Sequence, residues 1–299
     1  MRYVIGIDAG GTKTVGLLAD ETGKVLSKTI SGSANLVMKG ELAVEKVLFD
    51  VIDSLEAPEP IAALCLGIAG VGQPGGEQLI RDMLRRLGQR QAVRVVNDAL
   101  VALVAGAPSG IGIVIVAGTG SIAYGVDPEG HEARAGGWGY LLGDEGSAFW
   151  LGHYAVRHAI RAADGRGVAT SLYPLICEKL GVSKPSELVD WFYDQELSRN
   201  RVADLASLVE TACADGDEAA ETLMDQASKH LARAGRAVAG QLAFPESYPV
   251  VLSGGAFKAC PSLVPRVAAL LEDLPGAEVR LLEVEPAVGA VTLALELLQ

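Results

Sequence analysis

The sequence predicts an α/β protein built from two modules, and three features of its 299 residues support this. Short apolar runs of strand length are separated by turns that contain glycine. Segments with helical periodicity alternate with those runs. The same order of elements starts again after the turn-rich stretch 107–110. With 49% hydrophobic and 21% charged residues, the chain has enough apolar material to bury a core in each module.

The first module opens with three predicted strands, at 3–7, 14–19 and 25–30, joined by short turns. Helical and strand patterns then alternate along the chain. We predict helices at 41–55, 77–87 and 100–105 and strands at 61–68 and 93–96. Three antiparallel strands followed by alternating helices and strands make an α/β module of the ribonuclease-H-like kind.

The second module repeats this opening, with predicted strands at 111–117 and 122–126 on either side of a glycine turn. The shared order of elements suggests an ancient duplication. A long helical region with interruptions follows, from 147 to about 242. The chain closes with a strand at 250–252, a helix at 263–271, a strand at 279–282 and a helix at 288–298.

Charge and cysteine content exclude several functional classes. A formal net charge of -12 would repel a nucleic-acid backbone. The four cysteines are scattered and form no C-x-x-C pair, which is typical of a reducing cytosol. No signal-peptide pattern opens the chain, and apolar runs such as 111–117 are too short to cross a membrane. We therefore predict a cytoplasmic protein with small-molecule ligands, and with neither nucleic acid nor membrane as a partner.

The glycine turn between the first two predicted strands is a candidate phosphate site. Glycine lets backbone N–H groups approach phosphate oxygens, and threonine hydroxyls can add hydrogen bonds. An ordinary β-hairpin turn is the alternative. The P-loop pattern does not fit, because Lys13 does not directly follow a glycine and the next element is a strand. The candidate nucleotide-binding residues of this turn are Gly10, Gly11, Thr12, Lys13 and Thr14.

Two further glycine turns follow predicted strands in the second module. We predict that the first of them helps to grip a triphosphate and that the second runs close to an adenine ring. Their candidate residues are Gly118, Thr119 and Gly120 in one turn, and Gly254 and Gly255 in the other. A Gly-x-Gly-x-x-Gly pattern at 70–75 leaves a dinucleotide site open as an alternative. Its acidic partner, Asp98, comes later than the usual spacing of about 20 residues.

Two aspartates end apolar strands close to these turns. Asp8 stands just before the first glycine turn, where it is suited to hold Mg²⁺ through water beside the phosphates. Asp98 ends another strand and opens a helix, where a carboxylate can accept the proton of a ligand hydroxyl. The alternative role of Asp98 is to cap that helix.

A sugar pocket needs short hydrogen-bonding side chains and exposed backbone, and two segments offer them. Asn35 can donate and accept at once, as a sugar hydroxyl requires. The segment 136–147 surrounds bulky apolar residues with glycines and acids just before a helix. Asp144 in this segment is a candidate sugar contact, and a helix cap is again the alternative.

Taken together, these residues resemble the N-acetylglucosamine kinases of the BadF/BadG/BcrA/BcrD-type ATPase family, within the actin-like superfamily of sugar kinases. The resemblance covers essentially the whole chain. The pairing of Gly-Gly-Trp-Gly with Gly-Asp-Glu-Gly-Ser is specific, while the first glycine turn belongs to the whole superfamily. The motifs that carry the resemblance lie at 6–14, 32–35, 97–99, 117–121, 136–139, 143–147 and 253–255.

The resemblance implies a two-lobed actin-like ATPase fold, built from two ribonuclease-H-like modules with the active site in the cleft between them. The first lobe would comprise residues 1–110, with the C-terminal helix 287–299 packed back on it. The second lobe would comprise residues 111–286 with a helical insertion. The family also implies ATP and Mg²⁺ as cofactors, and homodimers are common in it.

The implied activity is ATP-dependent phosphorylation of N-acetyl-D-glucosamine at its 6-hydroxyl, with Asp98 as the general base. The resemblance carries nucleotide contacts over to Thr12, Thr119 and Gly255. Predicted sugar contacts are Asn35, Gly70, Asp98, Ser121, Gly136, Gly137 and Asp144.

Several alternatives stay open at this point. Bacterial glucosamine kinases resemble the chain at 32–35 but differ at 136–146, which favours an N-acetylated sugar. Ala135 stands where vertebrate relatives carry cysteine, so contacts there can differ. Glucosamine and N-acetylmuramic acid are alternative substrates. An ATPase that activates a partner enzyme and a non-catalytic sugar sensor are alternatives of another class, although the scattered cysteines argue against the iron–sulfur site of such activators.

Overall fold

Two five-stranded sheets, with helices packed against them, make up the described part of the chain. The computed structural model describes residues 2–35, 40–58, 60–72, 75–194 and 197–298. Its contacts divide into two compact units. The first unit comprises Met1–Val114, Tyr124–Glu132 and Leu282–Gln299, and the second comprises Ile115–Ala123 and Ala133–Leu281. The predicted α/β class is confirmed.

The strands of the first sheet are β1 (Tyr3–Ala9), β2 (Lys13–Asp20), β3 (Val25–Gly32), β4 (Ile61–Ile68) and β5 (Ala92–Val96). Their order across the sheet is β3-β2-β1-β4-β5. The pairs β1–β2 and β2–β3 are antiparallel, whereas β4 runs parallel to both β1 and β5. The carboxyl ends of β1, β4 and β5 therefore meet at one edge of the sheet, and this edge positions part of the candidate site.

Helices cover both faces of the first sheet, which explains why β1 and β4 are almost continuously apolar. These helices are α1 (Glu41–Ser54), α2 (Gly76–Arg86), α3 (Asp98–Gly106) and the C-terminal α12 (Ala287–Glu296). On one face, residues of α1 and α2 such as Leu48 and Ile80 form a fully buried cluster with Ile5 and Leu64. On the other face, α3 and α12 form a second cluster.

The C-terminal helix packs closely against the first sheet and against α3, because glycines stand at these contacts. A Cβ added to Gly6 of β1 would lie 2.4 Å from the backbone nitrogen of Val291. A Cβ added to Gly289 would lie 2.0 Å from the carbonyl oxygen of Val101 in α3. Any larger residue at either position would push the helix away from its neighbours.

The second sheet contains one strand that the sequence did not predict. Its strands are β6 (Gly112–Ala117), β7 (Ser121–Val126), β8 (Glu132–Gly136), β9 (Tyr248–Ser253) and β10 (Ala277–Leu281), in the order β10-β9-β6-β7-β8. The missed strand is β8, in which Ala133 alone is buried, so its apolar alternation is weak. The available signal was the Asp127-Pro128-Glu129-Gly130 turn, where the Asp127 carboxylate accepts the backbone N–H groups of Glu129 and His131 at 3.1 and 2.9 Å.

The predicted helical region after residue 147 consists of several helices. They are α4 (Ala148–Ala163), α5 (Leu172–Leu180), α6 (Pro185–Phe192), α7 (Arg199–Ala203), α8 (Ala206–Ala214) and α9 (Glu218–Ala239). Gly181 and Gly216 adopt left-handed backbone angles where helices end. Two more helices, α10 (Gly255–Ala259) and α11 (Leu263–Leu271), follow β9.

None of the helices in residues 2–35, 40–58, 60–72, 75–194 and 197–298 combines the length and apolar character needed to cross a membrane. The glycine pattern at 70–75 includes Gln73 and Pro74, which lie outside the described residues.

Candidate active site

The carboxyl edge of the first sheet brings together the two aspartates that end apolar strands. In the strand register, Asp8 of β1 lies opposite Gly67 of β4, and Gly67 lies opposite Val96 of β5. Asp98 follows Val96 by two residues, at the first position of α3. Both carboxyl groups therefore lie at the end of an open α/β sheet where ligands commonly bind.

Gly70 continues from β4 at the same edge. The backbone N–H of Ala69 donates to the carbonyl oxygen of Ala9 at 3.0 Å, which ties the end of β4 to the end of β1. Gly70 itself has a φ of 86°, a left-handed angle that favours glycine. The predicted sugar contact at Gly70 is thus close in the fold to Asp8.

Asp98 is not the cap of α3, so that alternative is wrong. The cap is Asn97, whose side-chain oxygen accepts the backbone N–H of Ala99 at 2.8 Å. Asp98 stands one residue further on, and its Oδ1 also accepts the Ala99 N–H at 3.1 Å. With Asn97 as the cap, the Asp98 carboxylate is positioned at the amino end of the helix, where the helix dipole favours a negative charge.

Burial raises the pKa of both aspartates, and repulsion from Asp98 adds to the rise at Asp8. Burial, followed by the charge of Asp98, raises the pKa of Asp8 to about 8, although the Lys13 ammonium opposes the shift. Burial raises the pKa of Asp98 to about 6, against the lowering effect of hydrogen bonds from backbone N–H groups. Such shifts are characteristic of functional carboxyl groups.

The first glycine turn closes the hairpin between β1 and β2. The backbone N–H of Gly10 donates to the carbonyl oxygen of Lys13 at 3.1 Å. Thr14 is fully buried, and its hydroxyl donates to the carbonyl oxygen of Gly32 at 2.8 Å. Thr12 is exposed at the tip of the turn. The turn is therefore a β-hairpin in geometry, which is compatible with phosphate contacts from its exposed residues.

Asn35 is tied to this turn through Ser33. The hydroxyl of Ser33 donates to the carbonyl oxygen of Gly10 at 3.3 Å and accepts the backbone N–H of Asn35 at 3.4 Å. This connection places a predicted sugar contact beside a predicted nucleotide contact within the first unit.

Lys13 makes an ion pair that the sequence did not reveal. Its ammonium lies 3.2 Å from the carboxylate of Glu285, which also binds Lys28 at 2.9 Å. Glu285 is 272 residues away in the chain, so no local pattern could have indicated it.

Several hydrogen bonds within the second unit fix the second glycine turn, which lies between β6 and β7. The backbone N–H of Gly118 donates to the carbonyl oxygen of Gly120 at 2.8 Å, and the Gly118 carbonyl accepts the N–H of Ala148 at 2.8 Å. The hydroxyl of Thr119 donates to the side-chain oxygen of Asn200 at 3.0 Å. The turn is therefore fixed against the start of α4 and against α7.

Gly254 packs against the strand that leads into this turn. Its φ is 115°, and a Cβ added there would lie 2.3 Å from the carbonyl oxygen of Ala117. The third glycine turn thus lies beside the second one in the fold, as expected if both contact one nucleotide. No larger residue can take the place of Gly254 without moving the chain.

Asp144 is buried beside the second glycine turn. Its Oδ1 accepts the backbone N–H of Ser121 at 3.2 Å, and a Cβ added to Gly120 would lie 2.8 Å from its Oδ2. Asp144 has a φ of 62°, a strained angle for a residue that is not glycine. The cap of α4 is Ser147, which accepts the backbone N–H of Trp150 at 3.1 Å, so the alternative of Asp144 as a cap is wrong.

Burial raises the pKa of Asp144, while the Ser121 N–H and the positive charge of Arg199 lower it. Arg199 begins α7, and its guanidinium lies over the ring of Tyr140 at 5.3 Å from the centroid. Its neighbour Asn200 binds Thr119. Sequence reasoning missed Arg199 and Asn200, because only the tertiary fold brings α7 to these residues.

The segment that carries Gly136 and Gly137 lies beside Ser121 and presents backbone groups rather than side chains. Both glycines have left-handed φ angles, 77° and 71°, and the N–H of Gly137 donates to the carbonyl oxygen of Ser121 at 2.9 Å. Just beyond them, Trp138 and Leu141 are exposed by 62% and 79%. Within the second unit, the fold thus joins the predicted sugar contacts Ser121, Gly136, Gly137 and Asp144.

A groove of about 340 Å³ lies elsewhere and contains none of the predicted residues. Its lining residues are Arg81, Arg85, Gln89, Arg90, Gln91 and Val93. The one group of three potential metal ligands found among the described residues, Asp127, Glu129 and His131, also lies outside the predicted site.

Comparison with known proteins adds independent findings. The sequence model of the BadF/BadG/BcrA/BcrD ATPase family matches residues 5–294. An N-acetylmuramic acid/N-acetylglucosamine kinase from Clostridium acetobutylicum is 34% identical over 260 residues, which is 85% of each chain. An N-acetyl-D-glucosamine kinase from Dictyostelium discoideum is 32% identical over 309 residues, which is 97% of each chain.

A solved structure of a candidate N-acetylglucosamine kinase from Chromobacterium violaceum is similar over the whole fold. It has a TM-score of 0.79 and 28% sequence identity, and covers 100% of this chain and 99% of its own. The agreement in fold and in sequence confirms the fold class that the sequence predicts.

Proposed function

Because the chain belongs to the BadF/BadG/BcrA/BcrD ATPase family, we propose that it phosphorylates an amino sugar with ATP. N-acetyl-D-glucosamine is the proposed substrate and N-acetyl-D-glucosamine 6-phosphate the product. The similarity to two amino-sugar kinases over 85% and 97% of the chain supports this choice. The structural observation that carries it is the pair Asp8 and Asp98 at one sheet edge, with the pKa of Asp98 raised to about 6.

Asp98 acts as the general base in this proposal. Its carboxylate accepts the proton of the sugar 6-hydroxyl while the hydroxyl oxygen forms a bond to the γ-phosphorus of ATP. The bond from that phosphorus to the β–γ bridging oxygen breaks, and ADP leaves. With a pKa of about 6, Asp98 is mostly ionised at neutral pH and is a stronger base than an ordinary aspartate.

The residues around Asp8 fit a magnesium ion. A carboxylate is the hard oxygen ligand that Mg²⁺ prefers, and a cation there would relieve the repulsion between Asp8 and Asp98. When bound, Mg²⁺ neutralises charge on the transferring phosphate. We propose that Asp8 holds the ion through water, as is usual for an ion that keeps most of its hydration shell.

Backbone and side-chain groups together provide the remaining contacts in the proposal. For the nucleotide these are the turns Gly10–Thr14 and Gly118–Gly120, with Gly254 and Gly255 beside the base. The proposed sugar contacts are Asn35, Gly70, Asp98, Ser121, Gly136, Gly137 and Asp144. The cytoplasmic location and a homodimer stay predictions.

A coupled assay of ADP formation over a panel of sugars tests the proposal. The panel contains N-acetylglucosamine, glucosamine, N-acetylmuramic acid, N-acetylmannosamine and glucose, each with ATP and Mg²⁺. We expect the highest kcat/KM with N-acetylglucosamine. Highest activity with glucose or free glucosamine would contradict the assigned substrate. ADP formation that does not depend on any sugar would instead favour an ATPase without sugar-kinase activity.

A further inference from the structure

Glu285 stands just before the C-terminal helix, at a place that close packing fixes. It precedes Pro286, the N-cap of α12, and its carbonyl oxygen accepts the backbone N–H of Val288 at 3.0 Å. The helix itself lies against β1 and α3 where Gly6 and Gly289 leave no room for a Cβ. The backbone of Glu285 therefore cannot shift far without displacing the helix, and its side chain extends from a rigid base.

Strand alternation brings two lysines to the face of the first sheet that α12 covers. Val15 and Leu17, the alternate residues after Lys13 in β2, belong to the buried cluster that includes α12. Lys28 of β3 lies opposite Leu17 in the strand register and so shares that face. Both ammonium groups converge on the Glu285 carboxylate, Lys13 at 3.2 Å and Lys28 at 2.9 Å.

This ion-pair group lies beside the candidate site of the first unit. Lys13 belongs to the first glycine turn, where β2 begins. Burial and the charge of Asp98 have the largest effects on the pKa of Asp8, but Lys13 also lowers that pKa and Glu285 raises it. The charges of Lys13 and Glu285 therefore act at the sheet edge where the phosphates are proposed to bind.

The group carries a positive excess. Although burial raises the pKa of Glu285, hydrogen bonds from Lys28 and Lys13 lower it below its ordinary value, so the carboxylate is ionised at neutral pH. One carboxylate thus faces two ammonium groups. Because Lys28 offsets the charge of Glu285, the group as a whole attracts an anionic phosphate.

The Lys13 ammonium keeps capacity for a further partner. It has three N–H donors and hydrogen-bonds one carboxylate, and its side chain is 46% exposed. A lysine side chain that moves freely loses rotamer entropy when it binds a ligand. Holding Lys13 in place beforehand removes part of that cost from ligand binding.

We propose that Glu285 is a positioning residue, which holds the Lys13 ammonium at the first glycine turn in readiness for the phosphate oxygens of ATP. The inference rests on the proposed function in that ATP is the ligand, and it deepens that function. It gives the start of the C-terminal helix a part in nucleotide binding, through a residue that no sequence motif indicated.

The test measures nucleotide binding without sugar, so that it does not depend on kinase activity. Calorimetry gives the Kd of a non-hydrolysable ATP analogue with Mg²⁺ for wild type, Glu285→Gln, Lys13→Met and the double variant. Glu283→Gln, at an exposed acid two positions earlier, is the matched control. Thermal unfolding reports folding of each protein. Removal of a negative charge near phosphates would by itself tighten binding, whereas loss of positioning weakens it, so the sign of the change separates the two effects.

We expect Glu285→Gln to raise the Kd about fivefold and Lys13→Met to raise it about tenfold. The double variant should bind no more weakly than Lys13→Met alone, because Glu285 acts through Lys13. The control should match wild type. In the kinase assay, Glu285→Gln should raise the KM for ATP and leave the KM for N-acetylglucosamine unchanged.

Unchanged or tighter binding in folded Glu285→Gln would overturn the inference. A fivefold loss that persists in the Lys13→Met background would overturn it as well, because Glu285 would then act through the helix and not through Lys13. A wild type that binds the analogue but phosphorylates no sugar would instead remove the proposed function, which separates the two failures.

Discussion

The candidate aspartates of the two units differ in the groups that surround them and shift their pKa values. Asp8 and Asp98 lie at one sheet edge, where burial and repulsion raise the pKa of Asp8 to about 8 and burial raises the pKa of Asp98 to about 6. Asp144 is also buried, but the Ser121 N–H and the Arg199 charge act against the rise in its pKa. The first pair is suited to exchanging a proton or binding a cation, whereas Asp144 is suited to holding a ligand in a fixed position.

The largest effect on activity is expected for a substitution of Asp98, the proposed base. Asp98→Asn keeps the shape of the side chain but removes the base, so kcat should fall by about 10² to 10⁴. Binding of ATP and of N-acetylglucosamine, measured by calorimetry, should stay close to wild type. A kcat within a fewfold of wild type would show that Asp98 is not the general base. The proposed difference in role between Asp98 and Asp144 would then be wrong.

A stability measurement tests the raised pKa of Asp8. Because the folded pKa of Asp8 is raised above its ordinary value, folding favours the protonated form, and this stabilisation is lost as pH rises from about 4 to about 8. Asp8→Asn should therefore be more stable than wild type at pH 8 but not at pH 4. Urea unfolding without magnesium measures the difference. An equal effect of Asp8→Asn on the free energy of unfolding at the two pH values would contradict the raised pKa of Asp8.

Backbone packing distinguishes the third glycine turn from the first. Gly254→Ala would place a Cβ 2.3 Å from the Ala117 carbonyl at a φ of 115°, so we expect a loss of about 2 kcal/mol in stability. Gly11→Ala, in the first turn, meets no atom within 4 Å and should leave the free energy of unfolding nearly unchanged. Equal losses in the two variants would show that this difference in packing has no energetic consequence.

The smallest expected effect concerns Asp144. Asp144→Asn keeps an oxygen that can accept the Ser121 N–H but removes the negative charge, so a hydrogen bond to a sugar hydroxyl should weaken by about 1–2 kcal/mol. We expect kcat/KM for N-acetylglucosamine to fall about tenfold, chiefly through a higher KM. A fall in kcat as large as that of Asp98→Asn, with an unchanged KM, would mean that the two aspartates do not have separate roles.

Most of the fold could be predicted because its signals are local. The strands β1 and β4 are apolar runs bounded by turns, and the terminal helix has a clear apolar pattern after Pro286. The strand β8 was missed because a short edge strand with one buried residue has little alternation to detect.

The positions of Asp8 and Asp98 could be predicted, because an apolar run that ends at an aspartate is a local signal; their roles stay predictions. The N-cap of α3 was harder to predict, because Asn and Asp are both preferred N-cap residues. Only the backbone conformation shows that Asn97 is the cap and that Asp98 is the first residue of the helix. Contacts such as Lys13–Glu285 and Thr119–Asn200 join residues 272 and 81 positions apart, so they depend on tertiary packing that no local pattern encodes.

Identification of the product tests the central claim most directly. N-acetylglucosamine labelled with ¹³C at C6 is incubated with the purified protein, ATP and Mg²⁺, and the mixture is followed by ¹³C and ³¹P NMR. We predict a C6 resonance split by coupling to phosphorus, formed together with one equivalent of ADP and absent with Asp98→Asn on the same time scale. Release of inorganic phosphate with an unchanged C6 resonance would contradict the account.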